Sequence, residues 1–279
     1  MRLCCLTAGY RSYSVSGNVP MEKGCVCMKF TKKLLTFILN LTVILVLFSG
    51  CAFFQNNKDG IHNLRDIGSV FILGDSYSTF QGHIPATHLA YYSESEDYET
   101  GVDSVEKTWW HRLIKTTGAQ LVMNSSWSGT TICNTDYSGP DSPNSFIRRI
   151  DHLARTEYFV KNQIDTVFVM GGQNDDWAGA PIGELKLDNW TEEDLLQYGP
   201  AVCYLMHCLK TELPDARIIF VINSDMKKNV IDYQIQAAKV YGLEYIQLEN
   251  IIKVNGHPTT DGMAQIEEQI LAYLDGCTS

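Results

Sequence analysis

Basic side chains are few in this 279-residue chain, and they are unevenly placed. Six of the 22 Lys and Arg residues, but only one of the 32 Asp and Glu residues, precede position 51. The rest of the chain therefore has 16 basic and 31 acidic residues, which gives it a formal charge of −15. An acidic domain without a basic patch is repelled by a phosphate backbone, so a nucleic-acid-binding protein is excluded.

Cysteine spacings typical of metal or redox sites are also missing after position 51. The four cysteines there form no Cys-x-x-Cys pair, which excludes a zinc site or a redox motif of that kind; they are Cys133, Cys203, Cys208 and Cys277. Cys203 and Cys208 lie in an apolar helical stretch and are expected to be small core residues. A disulfide could form outside the cell, but the spacing does not choose a pairing.

No apolar run is as long as the ~20 residues of a membrane span. The main one covers residues 34–48, follows the basic start Met28–Lys33 and leads through Ser49 and Gly50 into Cys51. This order is that of a bacterial export signal. Its Phe-Ser-Gly-Cys ending resembles a lipobox, which implies that Cys51 carries diacylglycerol and anchors the exported protein to a membrane of the bacterial cell envelope. An uncleaved anchor, or a signal cleaved without lipidation, is the alternative.

The chain from residue 1 to residue 277 divides into four segments. Residues 1–27 precede a complete signal and are interpreted as an extension from a misassigned start codon, with Met28 the true start and Met21 the alternative. Residues 28–50 are the signal peptide, residues 51–66 are the lipidated cysteine and a polar tether, and residues 67–277 are the globular domain.

Within the domain, short apolar runs alternate with longer amphipathic ones. The runs predict five buried strands, at residues 69–74, 119–124, 165–171, 218–223 and 244–248. The segments between and after them predict five helices, at residues 105–116, 146–158, 191–211, 228–241 and 261–274. We therefore expect a three-layer α/β/α sandwich around a mostly parallel five-stranded sheet, with the functional site at the carboxyl ends of the strands.

Four polar or glycine-rich segments follow the strands and meet at that edge. Ser76 comes directly after the first strand, where its N–H and hydroxyl suit a nucleophile whose attack creates an oxyanion. Gly129 follows the second strand, and Asn174 follows the third after two glycines. His257 precedes Pro258, which restricts its backbone just before the last helix.

Together these segments resemble the sequence blocks of the SGNH/GDSL hydrolases, in the same order and over residues 67–277. The resemblance implies a flavodoxin-like fold and a serine esterase that needs no metal or organic cofactor. It assigns Ser76 as the nucleophile and His257 as the general base. The N–H groups of Ser76 and Gly129 and the side chain of Asn174 would then form the oxyanion hole.

One position departs from the family pattern. The family has an Asp three residues before its His, whereas this chain has Val254 there. Either a backbone carbonyl orients His257, or another acid does so; Asp261 is the nearest candidate, although it is better placed to cap the last helix. The acid is left unassigned.

Two long insertions, at residues 81–106 and 177–189, carry aromatic and acidic residues toward the same edge. They favour a carbohydrate ester, deacetylated by the enzyme, as the substrate. A lysophospholipase or thioesterase acting on lipids, or a non-catalytic binding lipoprotein, is the alternative.

Overall fold

The computed structural model describes residues 65–94 and 99–276. The predictions for the N-terminal extension, the signal peptide, Cys51 and Cys277 lie outside these ranges. Within them, no helix is both long and apolar enough to span a membrane.

The centre of the domain is a parallel sheet of five strands. The strands of the described residues are β1 (Ser69–Gly74), β2 (Gln120–Ser126), β3 (Thr135–Asp136), β4 (Gly139–Pro140), β5 (Thr166–Met170), β6 (Arg217–Ile222), β7 (Glu244–Gln247), β8 (Lys253–Val254) and β9 (His257–Pro258). The sheet has the order β2-β1-β5-β6-β7, and all four of its pairings are parallel. β3 pairs with β4, and β8 with β9, as two short antiparallel hairpins. The predicted five-stranded sheet is therefore confirmed.

Helices cover both faces of the sheet and complete the three layers. They are α1 (Trp109–Thr117), α2 (Phe146–Arg155), α3 (Tyr158–Lys161), α4 (Gln173–Trp177), α5 (Tyr198–Glu212), α6 (Lys228–Tyr241) and α7 (Thr260–Leu274). Single turns of 3₁₀ helix occupy Ser76–Ser78, Val105–Lys107 and Asp194–Leu196.

The strands read as continuous apolar runs because each buries both of its faces. Successive side chains of a strand point to opposite faces, so Phe71 and Leu73 join one core while Val70 and Ile72 join the other. Helices α2, α5 and α6 line the first core, and α1 and α7 line the second. Every residue of β5 is buried, as expected for the central strand.

Helix boundaries differ from the predictions where local backbone chemistry intervenes. The helix predicted from residue 191 begins at Tyr198, because Pro200 has no N–H and fits only the first turn. Thr191 and Asp194 do form a reciprocal cap, but it closes the preceding 3₁₀ turn. The helix predicted to continue to residue 158 ends at Arg155, and Glu157 then adopts a left-handed φ of 58°.

The strand order determines where a ligand can reach the sheet. The chain passes from β1 to β2 on one side and then crosses to β5 on the other, so the connections diverge between β1 and β5. In open parallel sheets, this divergence opens a crevice at the carboxyl ends of the strands. The segments after β1, β2 and β5 are those that carry Ser76, Gly129 and Asn174.

Candidate active site

Ser76 lies at the carboxyl end of β1, in the crevice between β1 and β5. Asp75 caps the 3₁₀ turn that begins at Ser76, because its carboxylate accepts the N–H of Tyr77 at 3.1 Å. Gly74 is required before the turn, since an added Cβ would lie 2.6 Å from both the Ser126 hydroxyl and the Ser78 side chain. In the part of the chain that the structure describes, the N–H of Ser76 has no protein acceptor.

His257 reaches Ser76 from a hairpin at the other end of the sequence. Its Nε2 lies 3.0 Å from the Ser76 Oγ. The hairpin joins β8 to β9 through Asn255 and Gly256, whose φ values of 50° and 79° suit a two-residue turn. The Asn-Gly dipeptide predicts a two-residue hairpin turn from the sequence, although it is not part of the family motif around His257.

The same hairpin supplies the group that orients His257. The ring Nδ1 lies 3.2 Å from the carbonyl oxygen of Asn255, two residues earlier. The structure thus has the backbone-carbonyl arrangement, and Val254 pairs with His257 across the hairpin without offering a carboxylate. Asp261 makes no hydrogen bond to His257, and its expected role as the cap of the last helix is wrong. Thr259 is the cap, since its hydroxyl accepts the N–H of Gly262.

The surroundings of His257 favour the neutral imidazole. Burial lowers its pKa, and the positive charge of Lys253 lowers it further, although the Asn255 carbonyl acts in the opposite direction. The Lys253 ammonium is itself buried and is held by Asn223 and Asp225 at 2.7 and 2.6 Å. A neutral imidazole whose Nδ1–H is bonded to a carbonyl leaves Nε2 free to accept a proton.

Aromatic side chains surround the imidazole and anchor its hairpin. Tyr91 stacks on the ring of His257 with 3.6 Å between centroids and 6° between planes. The hydroxyl of Tyr77 donates to the carbonyl of Gly256, and that of Tyr92 donates to the carbonyl of Pro258 at 2.9 Å. Tyr91 and Tyr92 come from the first long insertion, which the sequence singled out for its aromatic residues.

One hydrogen bond links Asn174 to the loop that contains Gly129. Asn174 is in the first turn of α4, and its amide nitrogen donates to the carbonyl of Thr130 at 3.1 Å. Its amide oxygen accepts the hydroxyl of Tyr137 at 2.8 Å, which fixes the orientation of the amide. Gly129 adopts a φ of 79°, and its N–H has no protein acceptor among the described residues.

Strand pairing brings these donors to Ser76. Gly74 pairs with Ser126 on one side and with Met170 on the other. The N–H of Trp127 also donates to the carbonyl of Gly74 at 3.1 Å, so the loop of Gly129 starts beside the turn of Ser76. All four residues predicted from the sequence therefore lie at the carboxyl ends of three neighbouring strands or on the hairpin that faces them.

Besides Asp75, two buried residues with ionisable side chains support the site, and the sequence motifs assigned no role to either. Asp175 accepts the N–H groups of Ile132 and Cys133 at 2.8 and 3.1 Å, and burial raises its pKa to about 6. Its position next to Asn174 in the motif is the signal that could have found it. Arg149 on α2 is the second, and its sequence neighbourhood of Arg148 and Asp151 resembles a solvated helix face.

The thiols and the metal-ligating side chains add no further centre. Cys133, Cys203 and Cys208 are free thiols, and the first two are buried as core residues. In residues 65–94 and 99–276, no group of three or more His, Cys, Asp or Glu side chains is arranged to hold a metal ion.

A flavodoxin-like sheet with a Ser–His pair at its carboxyl edge is an arrangement found in ester hydrolases. The family model for GDSL-like lipases and acylhydrolases matches residues 68–274. This chain belongs to that family, and it is an esterase. The resemblance identified from the sequence motifs is thereby confirmed.

Solved structures from the same family match over most of the chain. A GDSL-like lipase from Bacteroides ovatus is 40% identical with a TM-score of 0.70, over 75% of this chain and 99% of its own. One from Bacteroides uniformis is 43% identical with a TM-score of 0.70, over 75% and 96%. A family two carbohydrate esterase from Clostridium thermocellum shares the fold at 15% identity and a TM-score of 0.52, over 75% and 63%. No curated protein matches the sequence.

Proposed function

We propose that the enzyme hydrolyses its ester through a covalent acyl-Ser76 intermediate, with His257 as the general base. The observation that carries this proposal is the 3.0 Å contact between His257 Nε2 and Ser76 Oγ, combined with the Asn255 carbonyl on Nδ1. Nε2 takes the proton of the Ser76 hydroxyl as Oγ bonds to the ester carbonyl carbon. The carbonyl π electrons move to its oxygen, which becomes the oxyanion of a tetrahedral intermediate.

The two halves of the reaction use the same groups. When the intermediate collapses, its bond to the alkoxy oxygen breaks and His257 returns the proton to the departing alcohol. Water then attacks the acyl-enzyme and gives a proton to His257. The acid leaves when the bond from its carbonyl carbon to Ser76 Oγ breaks and Oγ regains a proton.

The unpaired donors near Ser76 support the oxyanion-hole assignment. The N–H groups of Ser76 and Gly129 have no protein acceptor in the described ranges, and the amide nitrogen of Asn174 has a second N–H besides the one given to Thr130. Donors of this kind stabilise charge only as it forms, and removing one typically costs ~10²–10³ in kcat.

For the substrate, we infer a carbohydrate ester that loses a small acyl group such as acetate. Aromatic side chains with accessible faces border the site, and Tyr137 and Trp177 are 55% and 44% exposed. Such faces pack against the C–H faces of sugar rings, while nearby acidic groups such as Glu99 can accept sugar hydroxyls. The similarity to the carbohydrate esterase from Clostridium thermocellum indicates only that this fold occurs in such an enzyme. The substrate proposal therefore depends on the aromatic side chains that border the site.

We also infer that the enzyme is exported and attached to a membrane through lipidated Cys51. The support is the order of basic start, apolar run and Phe-Ser-Gly-Cys ending in the sequence. Expression of the full chain and a Cys51→Ser variant in a bacterium, followed by intact-mass analysis and detergent partitioning, tests this. The proposal requires a diacylglycerol mass shift that the variant lacks.

The catalytic proposal is tested with the full chain purified in detergent. Turnover of p-nitrophenyl esters from acetate to palmitate is measured beside the Ser76→Ala variant, together with acetate release from acetylated xylo-oligosaccharides. Loss of turnover in the variant and a preference for acetate support the carbohydrate esterase. A preference for long acyl chains would instead support the lipid-directed enzyme, and equal rates for the two proteins would contradict the role of Ser76.

A further inference from the structure

Arg149 is a buried cation whose hydrogen bonds all go to uncharged groups. The residue is 7% exposed, and its guanidinium lies over the Phe146 ring at 4.5 Å. Its donors reach the carbonyls of Ser125, Gly74 and Asn144 and the hydroxyl of Thr130; the last three distances are 3.2, 3.2 and 3.1 Å. No carboxylate of the described residues lies within 4.0 Å of the guanidinium.

A buried charge without an ion-pair partner is costly to a fold. The cost is visible here, since burial lowers the pKa of Arg149 to about 9. Only the more distant charge of Asp75 acts in the opposite direction. A Met or Leu would fill the same space without desolvating a charge, so packing alone does not account for an arginine at this position.

Three of the four acceptors of Arg149 lie in the segments that carry the proposed donors Ser76 and Gly129. Gly74 is two residues before Ser76, and Ser125 is the next-to-last residue of β2, where it pairs with Leu73. Thr130 directly follows Gly129, and its carbonyl accepts the amide of Asn174. One planar side chain is therefore bonded directly to the ends of β1 and β2 and to the loop of Gly129, and it is linked to Asn174 through Thr130.

Thr130 is the point where these links converge. Its hydroxyl accepts from Arg149 and donates to the carbonyl of Trp127 at 2.8 Å. Its own N–H donates to the same carbonyl at 3.4 Å. The guanidinium thus bonds to the tight turn that contains Gly129 and joins that turn to the strand leading to Ser76.

We propose that Arg149 is a positioning residue that holds the three oxyanion donors at their working separation through Gly74, Ser125 and Thr130. This inference rests on the proposed acyl-Ser76 mechanism. This role suits the planar fork of an arginine, whose donors lie on three separate nitrogens, whereas the three donors of a Lys ammonium diverge from one nitrogen. The oxyanion site itself remains formed by Ser76, Gly129 and Asn174.

The test compares Arg149→Lys and Thr130→Val with wild type in the full chain. Thr130→Val removes the hydroxyl that links Arg149 to the Gly129 turn, together with its bond to Trp127, and leaves the buried charge in place. Arg155→Lys is the matched control, since this arginine lies on the same helix and is exposed. A fluorophosphonate titration counts competent Ser76, so that kcat is expressed per titrated site.

When the donors are misplaced, stabilisation of the transition state is lost to a greater extent than binding of the ground-state ester. We expect kcat per titrated site to fall about 30-fold in Arg149→Lys and about 5-fold in Thr130→Val, with KM changed less than about twofold. Affinity for a boronic acid that forms a tetrahedral adduct should fall in parallel. The double variant should lose less than the product of the two single effects, because both changes break one network. Arg155→Lys should match wild type.

A purely structural role would leave a different signature. The variants would then show a lower unfolding midpoint and fewer titratable sites, with kcat per titrated site within about twofold of wild type, and that result overturns the proposal. If Arg149→Lys does not fold, the kcat of Thr130→Val decides by the same criterion. A wild-type enzyme without esterase activity or Ser76 labelling would contradict the proposed function itself, and with it this inference.

Discussion

Restoring the acid that the family has at position 254 tests how this enzyme orients its histidine. Val254 and His257 are directly opposite each other in the β8–β9 hairpin, and both are half-buried. Side chains of such a pair lie on the same face with Cβ atoms about 4.5–5.5 Å apart. The carboxylate of a Val254→Asp variant would therefore lie beside the imidazole, which the Asn255 carbonyl already orients.

The size of the effect follows from Coulomb's law. A carboxylate and an imidazolium about 5 Å apart attract by about 3 kcal/mol at an effective dielectric constant of 20. Solvent screening at this half-exposed position reduces the attraction to about half, which corresponds to about one pH unit. The carboxylate stabilises the protonated form of His257, so the pH below which activity is lost should rise by about one unit.

The assay is the pH dependence of kcat/KM for p-nitrophenyl acetate between pH 4 and 9. Below its acid limb the enzyme loses activity because His257 is protonated and cannot act as a base. Val254→Asp should therefore be slower than wild type near this limb. At pH 8 it should gain no more than about 10-fold, because the ring orientation that a triad Asp provides is already present.

Val254→Asn is the matched control, since it has a similar size and polarity without the charge. It should keep the acid limb of the wild type. If Val254→Asp and Val254→Asn share one acid limb, the carboxylate does not reach the imidazole and the geometry inferred from the hairpin is wrong.

Three further changes examine the support of the histidine and of the loop after β5. Tyr91→Leu removes the ring stacked on His257, and this ring stabilises the imidazolium by about 1 kcal/mol. The kcat should therefore fall about 5-fold and the acid limb should move to lower pH. Tyr91→Phe should preserve both, and identical pH profiles for the Leu and Phe variants would contradict this. Tyr77→Phe leaves the Gly256 carbonyl without its donor and should lower the free energy of unfolding by about 1–3 kcal/mol in urea titrations; an unchanged midpoint would refute it. Gly172→Ala places a Cβ 2.6 Å from the buried amide nitrogen of Gln234, on a backbone with a φ of 98°. We therefore expect the free energy of unfolding to fall by about 2 kcal/mol in urea titrations. A decrease of less than about 0.5 kcal/mol would show that the loop relaxes freely.

The sheet could be predicted from the sequence because its strands are buried on both faces. Runs such as Val-Phe-Ile-Leu in β1 and Thr-Val-Phe-Val-Met in β5 have no polar interruption, and each is followed by a helical segment. The hydrophobic runs do not determine the order of the strands, which the structure gives. The helix ends were harder to predict, since the left-handed φ of Glu157 leaves no mark in the hydrophobic pattern.

The candidate site divides in a similar way. Ser76, Gly129, Asn174 and His257 could be located because each follows a strand or precedes the last helix in a short motif. Tyr91 could not be assigned a role, because its contact with His257 joins residues that are distant in sequence. Arg149 belongs to no motif, and only its burial against main-chain carbonyls separates it from the half-buried Arg148 and the exposed Arg155 of the same helix.

The hydrogen bonds that arrange this site end largely on main-chain carbonyls. His257 is oriented by the carbonyl of Asn255, Asn174 bonds to that of Thr130, and Arg149 bonds to that of Gly74. A carbonyl is available at any residue type, so its position depends on backbone conformation, here on the left-handed Asn-Gly turn. Loss of the family Asp at position 254 is then compatible with a competent site as long as Asn255 and Gly256 keep that turn. The sequence feature that should accompany a missing acid in relatives of this enzyme is therefore a two-residue turn before the histidine, rather than a carboxylate elsewhere in the chain.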